Sequence, residues 1–148
     1  MEDGEWSSTT GPFMGIARTF RELRVYVAAR AAAKRIFEMT RTFPAEERYS
    51  LVDQIRRSSR STKNQIPEAW ARRRYKLAFI SKPDDALGEC MEPQGWLDDC
   101  LDAGYINEQT WRELDAEYQA IGGMLNSMIL KADSLCTLPA NAAPRAQR

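Results

Sequence analysis

Residues 49–74 read Tyr-Ser-Leu-Val-Asp-Gln-Ile-Arg-Arg-Ser-Ser-Arg-Ser-Thr-Lys-Asn-Gln-Ile-Pro-Glu-Ala-Trp-Ala-Arg-Arg-Arg. One apolar or small stripe recurs through them at helical spacing: Val52, Ile55, Ser59, Thr62, Ile66 and Ala69. The other faces carry Arg56, Arg57, Arg60 and Lys63, and the stretch ends in Arg72, Arg73 and Arg74. The stripe needs partner helices to cover it, and the arginines need an anion or an acidic surface.

Working outward, the preceding segment predicts a helix over about 22–41. Tyr26, Ala29, Ala33, Ile36, Phe37 and Thr40 form its buried face, and Thr19 with Glu22 has capping-box spacing. Pro44 closes that helix, and the next is expected to run from about Ala45 to Ala71, with Glu46 and Glu47 at its positive end. Its centre is small and polar (Ser58, Ser59, Ser61, Thr62), which points either to close helix approach or to a face meeting another subunit.

A third helix is expected from about Arg74 to Leu101, with Phe79, Pro83, Ala86, Cys90, Pro93, Leu97 and Leu101 inward. Proline costs ~3 kcal/mol in a helix interior, so a kink or break is expected at Pro83 and again at Pro93. Gly104 stops this helix and Asn107 caps a fourth, over about 108–134. In the fourth, Trp111, Leu114, Tyr118, Ile121, Leu125, Met128, Ala132 and Leu135 keep an unbroken three-four spacing. The fold class that follows is all-α, an antiparallel four-helix bundle over residues 20–136. A disordered lead-in (1–19) and a disordered tail (137–148) flank it.

Net charge is zero over 148 residues, but the charges are segregated. Residues 56–82 hold nine basic side chains against Glu68 alone, whereas residues 84–118 hold eleven acids against Arg112 alone. Adjacent antiparallel helices would let the two blocks partly neutralise each other. Alternatively, Arg56, Arg57, Arg60, Arg72, Arg73, Arg74 and Lys76 form a phosphate-binding strip, with Trp70 and Tyr75 beside it to stack on bases. Gln54, Arg57, Asn64 and Glu68 are candidates for a polar network that fixes helix register or subunit contacts.

No catalytic constellation is visible. The chain has no histidine, no cysteine pair at metal spacing, no Glu-x-x-His pair and no glycine-rich phosphate loop. No catalytic residue, metal, cofactor or small-molecule substrate is therefore expected. No apolar run approaches the ~20 residues of a membrane span, and the acidic N-terminus is not a secretory signal. Cys90, Cys100 and Cys136, odd in number and widely spaced, fit free thiols in a reducing cytoplasm.

Several ordered pieces carry a resemblance. They are Phe20-x-x-Leu23-x-Val25-Tyr26, Phe43-Pro44-x-x-Glu47-x-Tyr49-x-Leu51, and Gln54-Ile55-Arg56-Arg57-Ser58-Ser59. Asn64-x-Ile66-x-Glu68-Ala69-Trp70, Arg72-Arg73-Arg74-Tyr75, Ala78-Phe79, Gly104-Tyr105-Ile106 and Ile121-x-x-Met124-Leu125 follow. In this order the chain resembles the 23S rRNA-intervening-sequence proteins. The resemblance implies an up-down-up-down bundle assembling into a homopentameric ring, without established enzymatic activity and with a suspected link to RNA. A distant, strongly basic branch serves diversity-generating retroelements, and the zero net charge here does not carry that role over. Pro67, Pro83, Pro93 and Gly95 depart from the family pattern. The reading is thus a non-enzymatic, self-assembling cytoplasmic bundle, with weak, non-sequence-specific RNA binding through Arg56–Lys76 as the alternative.

Overall fold

The computed structural model describes residues 17–73 and 75–131, without the side chains of residues 76–78. Of the lead-in expected to be disordered (1–19), residues 1–16 lie outside the described residues, as do the tail 137–148 and the ends of the fourth-helix stripe at Ala132 and Leu135, while residues 17–19 are described and lead into a capped turn. Four helices follow one another: α1 (Arg24–Thr40), α2 (Leu51–Ala71), α3 (Lys76–Asp102) and α4 (Glu108–Leu130). Each packs on its neighbours in a closed order, α1 on α2, α2 on α3, α3 on α4 and α4 on α1. Among the described residues the backbones of the diagonal pairs, α1 with α3 and α2 with α4, stay further apart, and side chains such as Tyr118 of α4 and Ser59 of α2 reach across the core, as in an antiparallel four-helix bundle.

The entry to α1 is fixed locally. Thr19 Oγ1 accepts from Arg21 N at 3.2 Å and the Glu22 carboxylate accepts from Arg18 N at 2.6 Å, so the expected capping pair orders a 3-10 turn over Phe20–Glu22. Leu23 is extended and buried, and α1 follows with Val25, Tyr26, Ala29, Ala32, Ile36 and Thr40 inward. The buried face is turned slightly from the expected one. Ala33 is half-buried, and Phe37 is 39% exposed with guanidinium groups over its ring.

α2 starts later than its acids imply. Glu46 and Glu47 sit in a separate 3-10 turn (Ala45–Glu47), and Ser50 breaks the run with φ −119° and ψ −100° before Leu51. The Ser50 hydroxyl donates to Glu47 Oε1 at 2.9 Å, a local alternative to helical bonding typical of serine. Of the small residues at the centre of α2, Ser58, Ser59 and Thr62 lie in the core, whereas Ser61 is half-buried and lines the surface. Ser58, Ser59 and Thr62 are almost wholly buried and each donates its hydroxyl to a carbonyl of its own helix: Ile55, Arg56 and Ser58. Those bonds keep the hydroxyls satisfied within α2, with Tyr118 of α4 also reaching Ser59, and their small size lets neighbouring backbones come close. Close approach inside the protomer is therefore the role of Ser58, Ser59 and Thr62.

α3 does not break. It runs unbroken from Lys76 to Asp102 through Pro83 and Pro93, and α2 likewise continues through Pro67. Both α3 prolines are buried, as are Phe79, Ala86, Cys90, Leu97 and Cys100 on the same side. Burying a large apolar side chain contributes ~1.5–3 kcal/mol. Phe79 and Leu97, together with half-buried Ile80, Leu87 and Trp96 and the proline rings themselves, offset the ~3 kcal/mol each proline costs, so packing overrides local preference. Asn107 Oδ1 caps α4 by accepting from Thr110 N at 2.8 Å, and Leu114, Tyr118, Ile121, Leu125 and Met128 fill the core as their spacing predicts. A Cβ at Gly122 would lie 3.4 Å from Cys90 Sγ, which keeps α4 close to α3. Beside the core, Phe43 packs on Tyr105 at 5.0 Å, joining the α1–α2 connection to the α3–α4 connection at one end of the bundle.

Candidate functional site

The arginines of α2 do not form one strip. Arg56 and Arg72 are sixteen residues apart, about 24 Å along the axis, and on different faces. The start of α2 carries Val52, Arg56 and Arg60 in a row four residues apart, and Arg48, which closes the 3-10 turn before it, joins them beside the last turn of α1. A furrow runs between the two helices there. One hollow of about 330 Å³ is lined by Phe37, Thr40, Arg41, Phe43, Pro44, Ala45, Arg48, Val52 and Arg56. An adjoining one of about 480 Å³ is lined by Arg48, Val52, Asp53, Arg56, Arg57, Arg60, Ser61 and Asn64. Five arginines thus face one acid, Asp53. Arg41 and Arg48 were absent from the strip expected from the sequence, although the four-residue spacing from Arg48 to Arg60 was a usable signal.

Within the furrow the arginines differ. Arg56 is bound to α1: its Nε donates to Thr40 Oγ1 at 2.8 Å, its Nη2 to Phe37 O at 3.4 Å, and its guanidinium lies 4.6 Å from the centre of the Phe37 ring. A cation suits the negative C-terminal end of α1. Burial, then the charges of Arg60 and Arg41, lower the Arg56 pKa. Arg60 leans over the same ring at 5.8 Å, while Arg57 is exposed.

At the far end of α2, Arg73 folds back. Its Nη1 donates to Trp70 O at 2.8 Å and its guanidinium covers the Trp70 ring at 4.2 Å. That face of the half-buried Trp70 is occupied by a cation, which is a common indole contact. Arg72 is exposed, and Tyr75 is the half-buried residue preceding α3. Arg74 lies outside the described residues, as does the side chain of Lys76.

The four residues of the expected polar network are also dispersed. Gln54 lines a separate hollow with Glu47, Ser50, Leu51, Trp96 and Asp99. Arg57 and Asn64 line the furrow, whereas Glu68 pairs with Lys82 of α3 at 3.0 Å. Among the described residues, no arginine of α2 pairs with an acid of α3, so the two charge blocks do not neutralise each other across that contact.

The outer face of α3 is the opposite surface. Asp84, Asp85, Gly88, Met91, Glu92, Gly95, Asp98, Asp99 and Asp102 are all exposed along it. Asp98 Oδ1 accepts from Trp111 Nε1 at 3.0 Å, and Asp85 lies 3.9 Å from Lys82. A Cβ at Gly88 or Gly95 would meet nothing within 4 Å. The α4 acids Glu113 and Glu117 are engaged by Arg35 of α1, the second at 2.9 Å. Cys90 and Cys100 are buried free thiols; burial raises both, and with Asp99 and Glu47 nearby it pushes Cys100 up to about 12. Cys136 lies outside the described residues. No group of three or more His, Cys, Asp or Glu among the described residues is placed to hold a metal ion, and no helix among them is long and apolar enough to cross a membrane.

Comparison with known proteins agrees with this architecture. No curated protein matches the chain. A crystal structure of a protein of unknown function from the S23 ribosomal protein family of Bacteroides thetaiotaomicron matches at 26% identity and a TM-score of 0.65. The match covers 72% of this chain and 95% of that one. Residues 21–127 match the 23S rRNA-intervening sequence protein family, and they contain nearly all of the four helices. On that match the chain belongs to the 23S rRNA-intervening sequence protein family.

Proposed function

We propose that this protein is a non-enzymatic helical-bundle scaffold that works by assembling with copies of itself, a homopentamer being what the family resemblance implies. The observation that carries the reading is the outer face of α3. Gly88 and Gly95 lie inside a helix, where glycine costs ~1 kcal/mol relative to alanine. Nothing in the described residues of the protomer needs the space, since a Cβ at either would meet no atom within 4 Å. Between them Met91 is 66% exposed. A helix face with two glycine gaps and an exposed methionine among acids suits the close approach of another chain that offers a basic surface. The two buried free thiols fit the cytoplasm as its location. Light scattering at micromolar concentration tests the reading: a single oligomeric species supports it, and a monomer overturns it.

A second reading, weak RNA binding without sequence preference through the Arg56–Lys76 region, is supported by the exposure of Arg57, Arg60 and Arg72. Steep loss of RNA retention with salt, flattened by replacing those arginines, is its expected signature.

A further inference from the structure

We propose that the arginine furrow between α1 and α2 of one protomer receives the acidic, glycine-bearing face of α3 from a second copy. The inference rests on the self-assembly reading above and names the surfaces that would carry it.

Charge complementarity is the first argument. Arg48, Arg57 and Arg60 make no ion pair with any described residue, and neither do Asp84, Glu92, Asp99 and Asp102. Elsewhere Glu113 and Glu117 are engaged by Arg35, Glu68 by Lys82 and Glu108 by Arg112, while Glu38, Glu46 and Asp53 are exposed and make no ion pair with any described residue. The uncommitted charges of the furrow and of α3 therefore form two surfaces of opposite sign.

Dimensions agree. Val52 to Arg60 spans about 12 Å of helix, with Arg48 just before its start, and Glu92 to Asp102 spans about 15 Å. The furrow is concave, and the α3 face lacks side chains at Gly88 and Gly95, so a backbone can approach it. Met91 supplies a flexible apolar side chain for the furrow floor at Val52 and Phe37.

The arrangement also fixes the type of contact. α1 and α3 are diagonal in the bundle, so the furrow and the acidic face are different patches on different sides. Pairing one with the other is heterologous, head to tail, and such contacts close into rings when the rotation permits.

A phosphate backbone is the competing anion. Base stacking would need an open aromatic face: Arg56 and Arg60 lie over Phe37 and Arg73 covers Trp70, while Tyr49, next to Arg48, is 86% exposed. Phosphates, like carboxylates, bind arginine without such a platform, so the preference for a second copy rests on the complementary acidic face that the chain itself carries.

The experiment uses the full chain in four forms: wild type, R48E/R57E/R60E, E92K/D99K/D102K, and the six substitutions combined. All six positions are exposed, and circular dichroism checks that each form stays helical. Light scattering at micromolar concentration should find the wild type assembled and each reversed form at least tenfold weaker in association. The combined form, with the charges exchanged, should regain the wild-type mass. R57Q/R60Q and E92Q/D99Q, which add no repulsion, should each weaken association to a smaller extent. Wild-type mass in both reversed forms would overturn the proposal and leave self-assembly standing on other surfaces. Failure of a helical combined form to reassemble would overturn it as well. A reversed furrow that keeps the mass but no longer retains RNA would assign the furrow to nucleic acid and overturn it too. A monomeric wild type would instead remove the self-assembly reading, and this proposal with it.

Discussion

Lys82 Nζ lies 3.0 Å from Glu68 Oε2, so the ion pair between α2 and α3 joins a base from the acidic helix to the acid of the basic stretch. The sequence alone presents arginines on α2 and acids on α3, and mutual neutralisation is the natural inference. The packed bundle instead pairs the minority charges and turns the majority charges outward. Because Glu68 is 54% exposed, Lys82→Met should lower stability by at most ~1 kcal/mol. Thermal melts check this; a much larger loss would mean the pair is the main tie between the helices.

Arg56 should behave differently from its neighbours. Its bonds to Thr40 Oγ1 and Phe37 O and its place over the Phe37 ring tie α2 to the end of α1. Arg56→Met is expected to cost ~1–2 kcal/mol, because it leaves buried Thr40 without that donor. Arg57→Met and Arg60→Met should lie within about 0.5 kcal/mol of wild type. Chemical denaturation measures all three, and equal effects would refute the distinction.

Pro83 and Pro93 are opportunities for stabilisation. Each stands inside continuous α3 and supplies no amide hydrogen to the preceding turn. Pro83→Ala restores that donor at the expense of some buried ring contact, and a gain of about 1–2 kcal/mol is expected. The midpoint of urea unfolding checks it; no gain would show that the surroundings already accommodate the missing bond.

Acid should weaken the α1–α4 contact. The Arg35 guanidinium, with help from Gln109, holds the Glu113 carboxyl below its ordinary range. A carboxylate with a lowered folded-state pKa contributes stability above its unfolded value of ~4.3 and loses it as pH falls through the folded value. Arg35→Met should therefore flatten the fall of the melting temperature below about pH 5. An unchanged pH profile would contradict this origin.

The fold was legible because each helix announces itself by spacing. The α4 series from Leu114 to Met128 and the α2 series from Val52 to Ala69 are buried as their periods require. The start of α2 was not legible: Glu46 and Glu47 suit a helix N-terminus, yet Ser50 bonds locally to Glu47 and delays the helix to Leu51. A break at the prolines does not occur for a physical reason, since propensity is local and the burial of Phe79, Ala86 and Leu97 is not. The basic surface was half legible. Charge density marked residues 56–76, but only packing shows that Arg56 is held by α1, that Arg73 covers Trp70, and that Arg41 and Arg48 join the furrow.

The central claim is that unlike-charged faces of this bundle hold its copies together. Sedimentation velocity of the wild type from about 50 to 500 mM salt tests it most directly, because the screening length falls from well above 10 Å toward ~4 Å over that range. The account predicts an assembled species at low salt that gives way to slower-sedimenting species as salt rises. A sedimentation coefficient that does not change across the range, whether monomeric or assembled, would contradict it.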